Sequence, residues 1–230
     1  MTLTEEGKAL LQLCLGQKQL EGKFLGQISG KERSSVNLTI IGPTSAISSR
    51  FINDCKHLYE KYTFLNLNFC TDDHSDLIEQ VRKGKSDLAV VDPSLVPNEM
   101  TSKMLKPDRY LLVCSSKWKG RRLLDIVSNE RIIDFYESDQ STLNYLKYFE
   151  LDSSKFTKRI FVNNNAALIR LFDAEVGYGT LTESIAKPHI ESGDLIALNQ
   201  GRIYEVPLAL TWYPRPAKQQ YFEELIKSIK

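Results

Sequence analysis

Cysteine and histidine are scarce in this chain, four of the first and three of the second in 230 residues. Cys14, Cys55, Cys70 and Cys114 form no Cys-x-x-Cys pair, which points to reduced thiols in a cytoplasmic protein. Cys70 and Cys114 sit inside apolar, strand-like runs and are expected to be buried, packing as small hydrophobes. His57, His74 and His189 lie far apart without His-x-x-x-His spacing, so no metal site is expected. The chain has no Gly-x-Ser-x-Gly elbow and no P-loop. Gly177-Tyr178-Gly179 lacks the third glycine of a dinucleotide fingerprint and reads as a packing turn. With no nucleophile, metal or phosphate cradle, the chain is read as no enzyme and as needing no cofactor.

Excess charge and long apolar runs are lacking too. The formal net charge is +1, which argues against a nucleic-acid footprint in these residues. No run approaches the length needed to span a bilayer, so no membrane partner is expected. The start, Met-Thr-Leu-Thr-Glu-Glu-Gly, has no basic n-region and no apolar h-region, and a secretory leader is not expected.

What is present is an apolar fraction of 42%, enough to bury a sizeable core in one or two domains. Residues 8 to 29 read as one helix. Leu10, Leu13, Gln17, Leu20 and Phe24 follow a heptad seam with a polar residue at one core position, a device that can fix register and partner number. Gly16, Gly22 and Gly26 each weaken an isolated helix by about 1 kcal/mol, so this one calls for a partner helix or for packing on its own domain. Ser29 to Ser35 reads as a polar hinge.

From Val36 onward strands alternate with helices. Leu38–Ile41 is an apolar strand ended by Gly42-Pro43, and Thr44 or Ser45 is expected to cap a helix carrying Phe51, Ile52, Cys55 and Leu58 on one face. A strand over 64–69, a helix over 76–83 closed by Gly84, and strands over 87–91 and 110–114 follow. The scheme repeats with strands over 132–135, 159–162 and 178–181 and helices over 142–149 and 166–172. The chain closes with a strand over 206–212 and a helix over 217–229. This alternation predicts a parallel sheet with right-handed crossovers. Two α/β lobes joined by two crossing strands predict a periplasmic-binding-protein-like clamshell holding its ligand in a cleft.

Several of these segments resemble one family. Leu3-Thr4-Glu5-Glu6-Gly7 followed by an amphipathic helix resembles the last wing strand and dimerising linker of LysR-type transcriptional regulators. Gly84-Lys85-Ser86-Asp87-Leu88-Ala89-Val90 is similar to the Gly-x-x-Asp-Leu-Ala-Ile segment of their effector-binding domain, and Tyr110–Ser115 to its hinge strand. Val176-Gly177-Tyr178-Gly179-Thr180-Leu181 resembles the Gly-x-Gly-x-x-Pro turn, departing with Glu175 where Gly is common and Thr182 where Pro often stands. Gly193–Leu198 matches the strand that follows.

The resemblance implies an α/β fold of two Rossmann-like lobes in a type 2 periplasmic-binding-protein-like clamshell, preceded by a linker helix. Residues 1–7 would be a wing remnant, 8–35 the linker and hinge, and 36–230 the effector-binding domain. Lobe I would hold 36–112 and 205–230, and lobe II 113–204. It implies a small-molecule effector, assembly as a homodimer or homotetramer, and DNA binding through an N-terminal head that would lie before Met1. A free-standing solute-binding protein shares the clamshell, but a leader or lipid anchor would be expected and a wing-like start would not. A small-molecule enzyme on this scaffold would need a distinctive acid in the cleft, and the sequence offers none.

The candidate ligand-binding residues follow from charge and turns. Pro43, Thr44 and Ser45 at a helix start combine hydroxyls with free backbone N–H groups, suited to a carboxylate; Thr44 as a simple cap is the alternative. Asn163, Asn164 and Asn165 occupy the matching turn of the second lobe, with Asn163 and Asn165 as ligand contacts or the run as turn and cap residues. Thr71 and Asp72 after the second strand, the neighbouring Asp73, and Asp139 after Ile133–Ser138 are partners for an ammonium or guanidinium, or solvated carboxylates. Within the family, Ile133–Asp139 and Phe69–Asp73 resemble the branch that senses basic amino acids.

Overall fold

In a computed structural model of the chain, residues 35–72, 76–151, 158–215 and 219–230 are described, together with Thr4, Glu6, Gly7, Leu10, Leu13, Cys14, Gly16 and Gln17. From Glu6 to Gln17 the described residues are helical, and Thr4 Oγ1 accepts from Gly7 N at 3.2 Å as a helix-start residue does. Leu3 and Glu5 of the wing segment, Leu20 and Phe24 of the heptad seam, the 29–34 part of the hinge and Asp73 lie outside the described residues, while Glu6 and Gly7 of the wing segment are helical.

The chain divides into two compact units, one ending at Pro107 and resuming over Pro207–Lys230, the other Asp108–Val206. The first contains β1 (Val36–Gly42), β2 (Leu65–Thr71), α2 (Leu77–Arg82), β3 (Leu88–Val91) and α7 (Gln220–Ser228). Between β1 and β2 runs a segmented helix, α1, over 44–61. Thr44–Ala46 and Ile52–Asp54 are α-helical, Ile47–Phe51 is a π-turn, and Lys56–Lys61 resumes after Cys55. Two long strands, β4 (Thr101–Ser115) and β9 (Ile203–Trp212), carry the chain between units, so each contributes to both.

In the first unit β2, β1 and β3 are parallel, with Ile40 aligned on Phe69 and on Leu88. β9 lies antiparallel to β3, Val90 opposite Leu210. The sheet is therefore mixed, where the alternation of elements predicted parallel pairing. A parallel partner needs a crossover connection, and β9 enters this unit as a continuous strand without one. Helices cover both faces. Leu38, Ile40, Leu88, Val90 and Leu210 pack under Phe51, Cys55 and Leu58 of α1 and Phe222 and Leu225 of α7. Ile41, Ala89 and Val91 point to the other face, against Ile78 and Val81 of α2. Strands buried on both faces read as unbroken apolar runs, which is why β3 stands out in the sequence.

Two expectations of side-chain burial fail in this unit. Ile52 is 48% exposed, whereas Ala46, Ile47, Phe51, Cys55 and Leu58 line the buried face. Position 52 is about 100° round the helix from 51, beyond the buried stripe. Cys70 is exposed, not buried. β2 ends the sheet order and alternates, with Leu65, Leu67 and Phe69 toward the core and Asn66, Asn68 and Cys70 outward.

The second unit contains α3 (Leu123–Asn129), β5 (Arg131–Asp134), α4 (Ser141–Tyr148), β6 (Arg159–Phe161), α5 (Asn165–Asp173), β7 (Gly177–Thr182), α6 (Glu183–Glu191) and β8 (Leu195–Ala197). β5 is parallel to β6 and β7, while β4 is antiparallel to β7 and β8. Leu112, Cys114, Ile132 and Tyr178 pack against α3 and α4 on one face. Leu111, Val113, Ile133 and Leu181 pack against Leu168 and Phe172 of α5 and Ala186 of α6 on the other. Gly177 and Gly179 lie inside strand β7, not in a turn. A Cβ at Gly177 would stand 2.2 Å from the Arg131 carbonyl, and one at Gly179 2.3 Å from that of Ile133. Their role is close strand packing.

Candidate functional site

In the first unit the parallel strands β1 and β2 end side by side. Gly42 is in register with Thr71, and Asp72 N donates to the Gly42 carbonyl at 3.0 Å. Five of the predicted residues, Pro43, Thr44, Ser45, Thr71 and Asp72, are thereby gathered at the carboxyl ends of adjacent strands. In open α/β sheets that edge is where ligands bind. Gly42 permits a close approach of β1 to β3 at this edge: a Cβ there would meet the Val90 Cβ at 2.9 Å.

The cap of α1 is Pro43, at φ −56° and ψ 142°, and neither Thr44 nor Ser45 serves as one. Proline already holds the required φ and has no N–H to satisfy, while its carbonyl receives Ile47 N at 3.1 Å. Thr44 and Ser45 are the first helical residues, half-buried. Their carbonyls accept from the hydroxyls of Ser48 and Ser49, the latter at 2.5 Å. Such back-bonding competes with the helical ladder and coincides with the π-turn at Ile47–Phe51.

In the second unit, β5, β6 and β7 are mutually parallel and their carboxyl ends carry Asp134, the loop over 135–140 and the 163–165 turn. Asp139 is half-buried. Its Oδ1 accepts from Ser141 N at 2.8 Å and its Oδ2 from Phe135 N at 3.2 Å. Asn164 is the cap of α5, accepting from Ala167 N at 3.1 Å. Asn165 is the first residue of that helix and half-buried, and Asn163 is exposed just before the cap.

The residues that organise this end were not singled out in the sequence. Asp134 is 3% exposed, and its Oδ2 accepts from Arg159 Nε at 3.0 Å and Nη2 at 2.7 Å. Burial pushes its carboxyl above the usual carboxylate range, against the opposing pull of Thr142 and Arg159. Arg159 Nη1 also donates to the Glu137 carbonyl at 3.0 Å, and Nη2 to that of Asp139. Thr142, fully buried at the start of α4, accepts from Thr180 N at 3.0 Å and meets the Thr180 hydroxyl at 3.1 Å. A readable signal existed: an aspartate directly after Ile132-Ile133 places a charge at the end of a buried strand, and such a charge needs a partner. Among the described residues, no three His, Cys, Asp or Glu side chains converge as a metal site would require.

The profile of the LysR substrate binding domain matches residues 31–230. Among solved structures, the full-length regulator LysG from Corynebacterium glutamicum with bound effector arginine superposes with a TM-score of 0.73 at 16% identity, covering 99% of this chain and 78% of that one. ArgP from Mycobacterium tuberculosis gives a TM-score of 0.76 at 16% identity, with 98% and 76% covered. The C-terminal domains of a LysR family protein from Agrobacterium tumefaciens give 0.71 at 16% identity, with 84% and 96% covered. No curated protein matches in sequence. At such identities the structures speak for the fold, and the profile, which spans nearly the whole chain, speaks for descent. The chain belongs to the LysR substrate binding domain family, the effector-sensing part of LysR-type transcriptional regulators.

Proposed function

We propose that this chain senses a small basic amino acid and passes that signal to a DNA-binding head on its amino-terminal side, within a cytoplasmic homodimer or homotetramer. The observation that carries the ligand class is the company Asp72 keeps. Its backbone N–H donates to the Gly42 carbonyl, immediately before the Pro43–Ser45 turn, which brings an aspartate and the start of α1 to the same strand edge. Such a pairing suits a ligand carrying both signs of charge: amides and hydroxyls take its carboxylate, an aspartate its cation. Thr71 adds a hydroxyl to that group. In the second unit, taken by itself, Asp139 is a carboxylate able to take a cation, and Asn163 and Asn165 are polar donors. The similarity to LysG, whose structure holds arginine, supports this class.

Titration calorimetry with arginine, lysine, leucine and glutarate is the direct test. Arginine or lysine should bind in preference to leucine, and glutarate should not bind. Asp72→Asn should weaken arginine more than leucine, by about the 1.5–3 kcal/mol of a charge-assisted hydrogen bond. Thr44→Val should weaken both alike, because both carry the carboxylate. Binding of glutarate without binding of arginine or lysine would refute the basic class.

A further inference from the structure

We infer that Arg159, with Asp134 behind it, is a positioning residue that sets the charge and geometry of the Asp139 loop for a cationic ligand. The inference rests on the basic-amino-acid reading above for its ligand, and on the second unit alone for its geometry.

The guanidinium spends its donors on one task. Nε and Nη2 fix it on Asp134, while Nη1 and Nη2 hold the carbonyls of Glu137 and Asp139. Its Cζ lies 4.9 Å from the centre of the Phe161 ring, which fixes the plane of the fork. Two carbonyls of the 135–140 loop are thus tied to β6 by a single side chain. Four of the five guanidinium N–H donors are thereby committed to Asp134 and the loop.

The consequence falls on Asp139. Its carboxylate is locked from within by the Phe135 and Ser141 amides and from behind by the Arg159 bond to its own carbonyl. A carboxylate has about four acceptor positions, and two are filled, so each oxygen keeps capacity for a cationic donor. The charges are apportioned as well. Asp134 and Arg159 cancel as a buried pair, which leaves the half-buried Asp139 and the exposed Glu137 as the negative charges of this loop. A lysine could supply the positive charge but not the planar fork that reaches an aspartate and two carbonyls together.

The test separates geometry from charge. The double variant Arg159→Gln/Asp134→Asn keeps the net charge of the cluster and removes the clamp. It should bind arginine about tenfold more weakly than wild type, with leucine affected less, as expected for one misplaced charge-assisted contact. Arg159→Lys should show the same selective loss. In ligand-free protein, the Phe135 and Ser141 amide proton resonances should move in both variants and in Asp139→Asn, while thermal melting reports whether the unit stays folded. Wild-type arginine affinity in a folded double variant, with both amides unmoved, would overturn the inference. If the wild-type protein binds no basic amino acid, the ligand reading falls. The amide resonances then decide the clamp alone, and their failure to move in the double variant would overturn it.

Discussion

The indole N–H of Trp118 donates to Glu175 Oε2 at 3.0 Å, and Glu175 receives it from a left-handed backbone at φ 60°. This accounts for a glutamate where the family commonly has glycine. The residue after α5 must turn left-handed to end the helix, and its N–H closes on the Phe172 carbonyl at 2.9 Å. Glycine would make that turn without strain, but it has no carboxylate for Trp118, which is 5% exposed and carries the Arg121 guanidinium 4.5 Å over its ring. The left-handed strain, about 1–3 kcal/mol, is offset by a partner for a buried indole.

Glu175→Ala should therefore destabilise the protein by about 1–3 kcal/mol, since the strain persists and the indole N–H is orphaned. Glu175→Gly loses the same partner but relieves the strain, and should be less damaging by about 1 kcal/mol. Urea unfolding of both variants checks the ranking. A glycine variant less stable than the alanine variant would contradict this account.

Thiol chemistry should divide the cysteines by position. Cys55 and Cys114 are buried, and burial pushes both thiols up to about 12. At pH 8 their thiolate fraction is then roughly one in ten thousand, on top of the steric barrier. Cys14 and Cys70 are exposed. A chromogenic disulfide reagent should titrate two of the four thiols in the native protein and all four after denaturation. Mass mapping should find the first pair at Cys14 and Cys70.

That division also shows where the sequence is legible and where it is not. β3 is readable because Leu88–Val91 is buried on both faces, β1 because Leu38, Ile40 and Ile41 are apolar and buried, and α2 because Asp76 caps it and Gly84 closes it at φ 65°. The first half of β4, Thr-Ser-Lys-Met-Leu-Lys-Pro-Asp, carries little apolar pattern, with Thr101, Ser102, Met104 and Lys106 exposed, and the sequence assigns no element there. Cys70 misleads because an edge strand can present an apolar run whose outward members are wet. In the candidate site the turns at Pro43 and Asn164 are local and visible. The Asp134–Arg159 pair is not, since it joins residues 25 positions apart through strand register. Only tertiary pairing reveals which arginine answers which aspartate.

The backbone approach at β7 makes a sharper prediction. Gly179→Ala places a methyl 2.3 Å from a backbone carbonyl, and Gly177→Ala one at 2.2 Å. Neither neighbour is a flexible side chain, so β5 and β7 must separate. Each variant should lose about 1–3 kcal/mol or more, with the damage concentrated in the second unit. Hydrogen exchange should show Ile132 and Ile133 amides losing protection while β1 and β3 in the first unit keep theirs. Equal loss in both units would mean that the two do not respond as separate cores.

The pH dependence of stability should carry the mark of Asp134. Burial raises its folded-state pKa above the ordinary aspartate value of 3.8, although Thr142 and Arg159 oppose the rise. An acid raised in this way holds its proton more tightly in the folded chain than in the unfolded one. Its favourable contribution is fully present below about 3.8, the unfolded value, and is lost as pH rises through the folded value. Asp134→Asn cannot titrate, so the comparison isolates this group. The unfolding free energy of wild type minus that of Asp134→Asn should decline as pH rises from below that value, then level off. A difference that grows with pH across the same window would show that the Arg159 pair outweighs desolvation. It would place the folded-state pKa of Asp134 below its unfolded value.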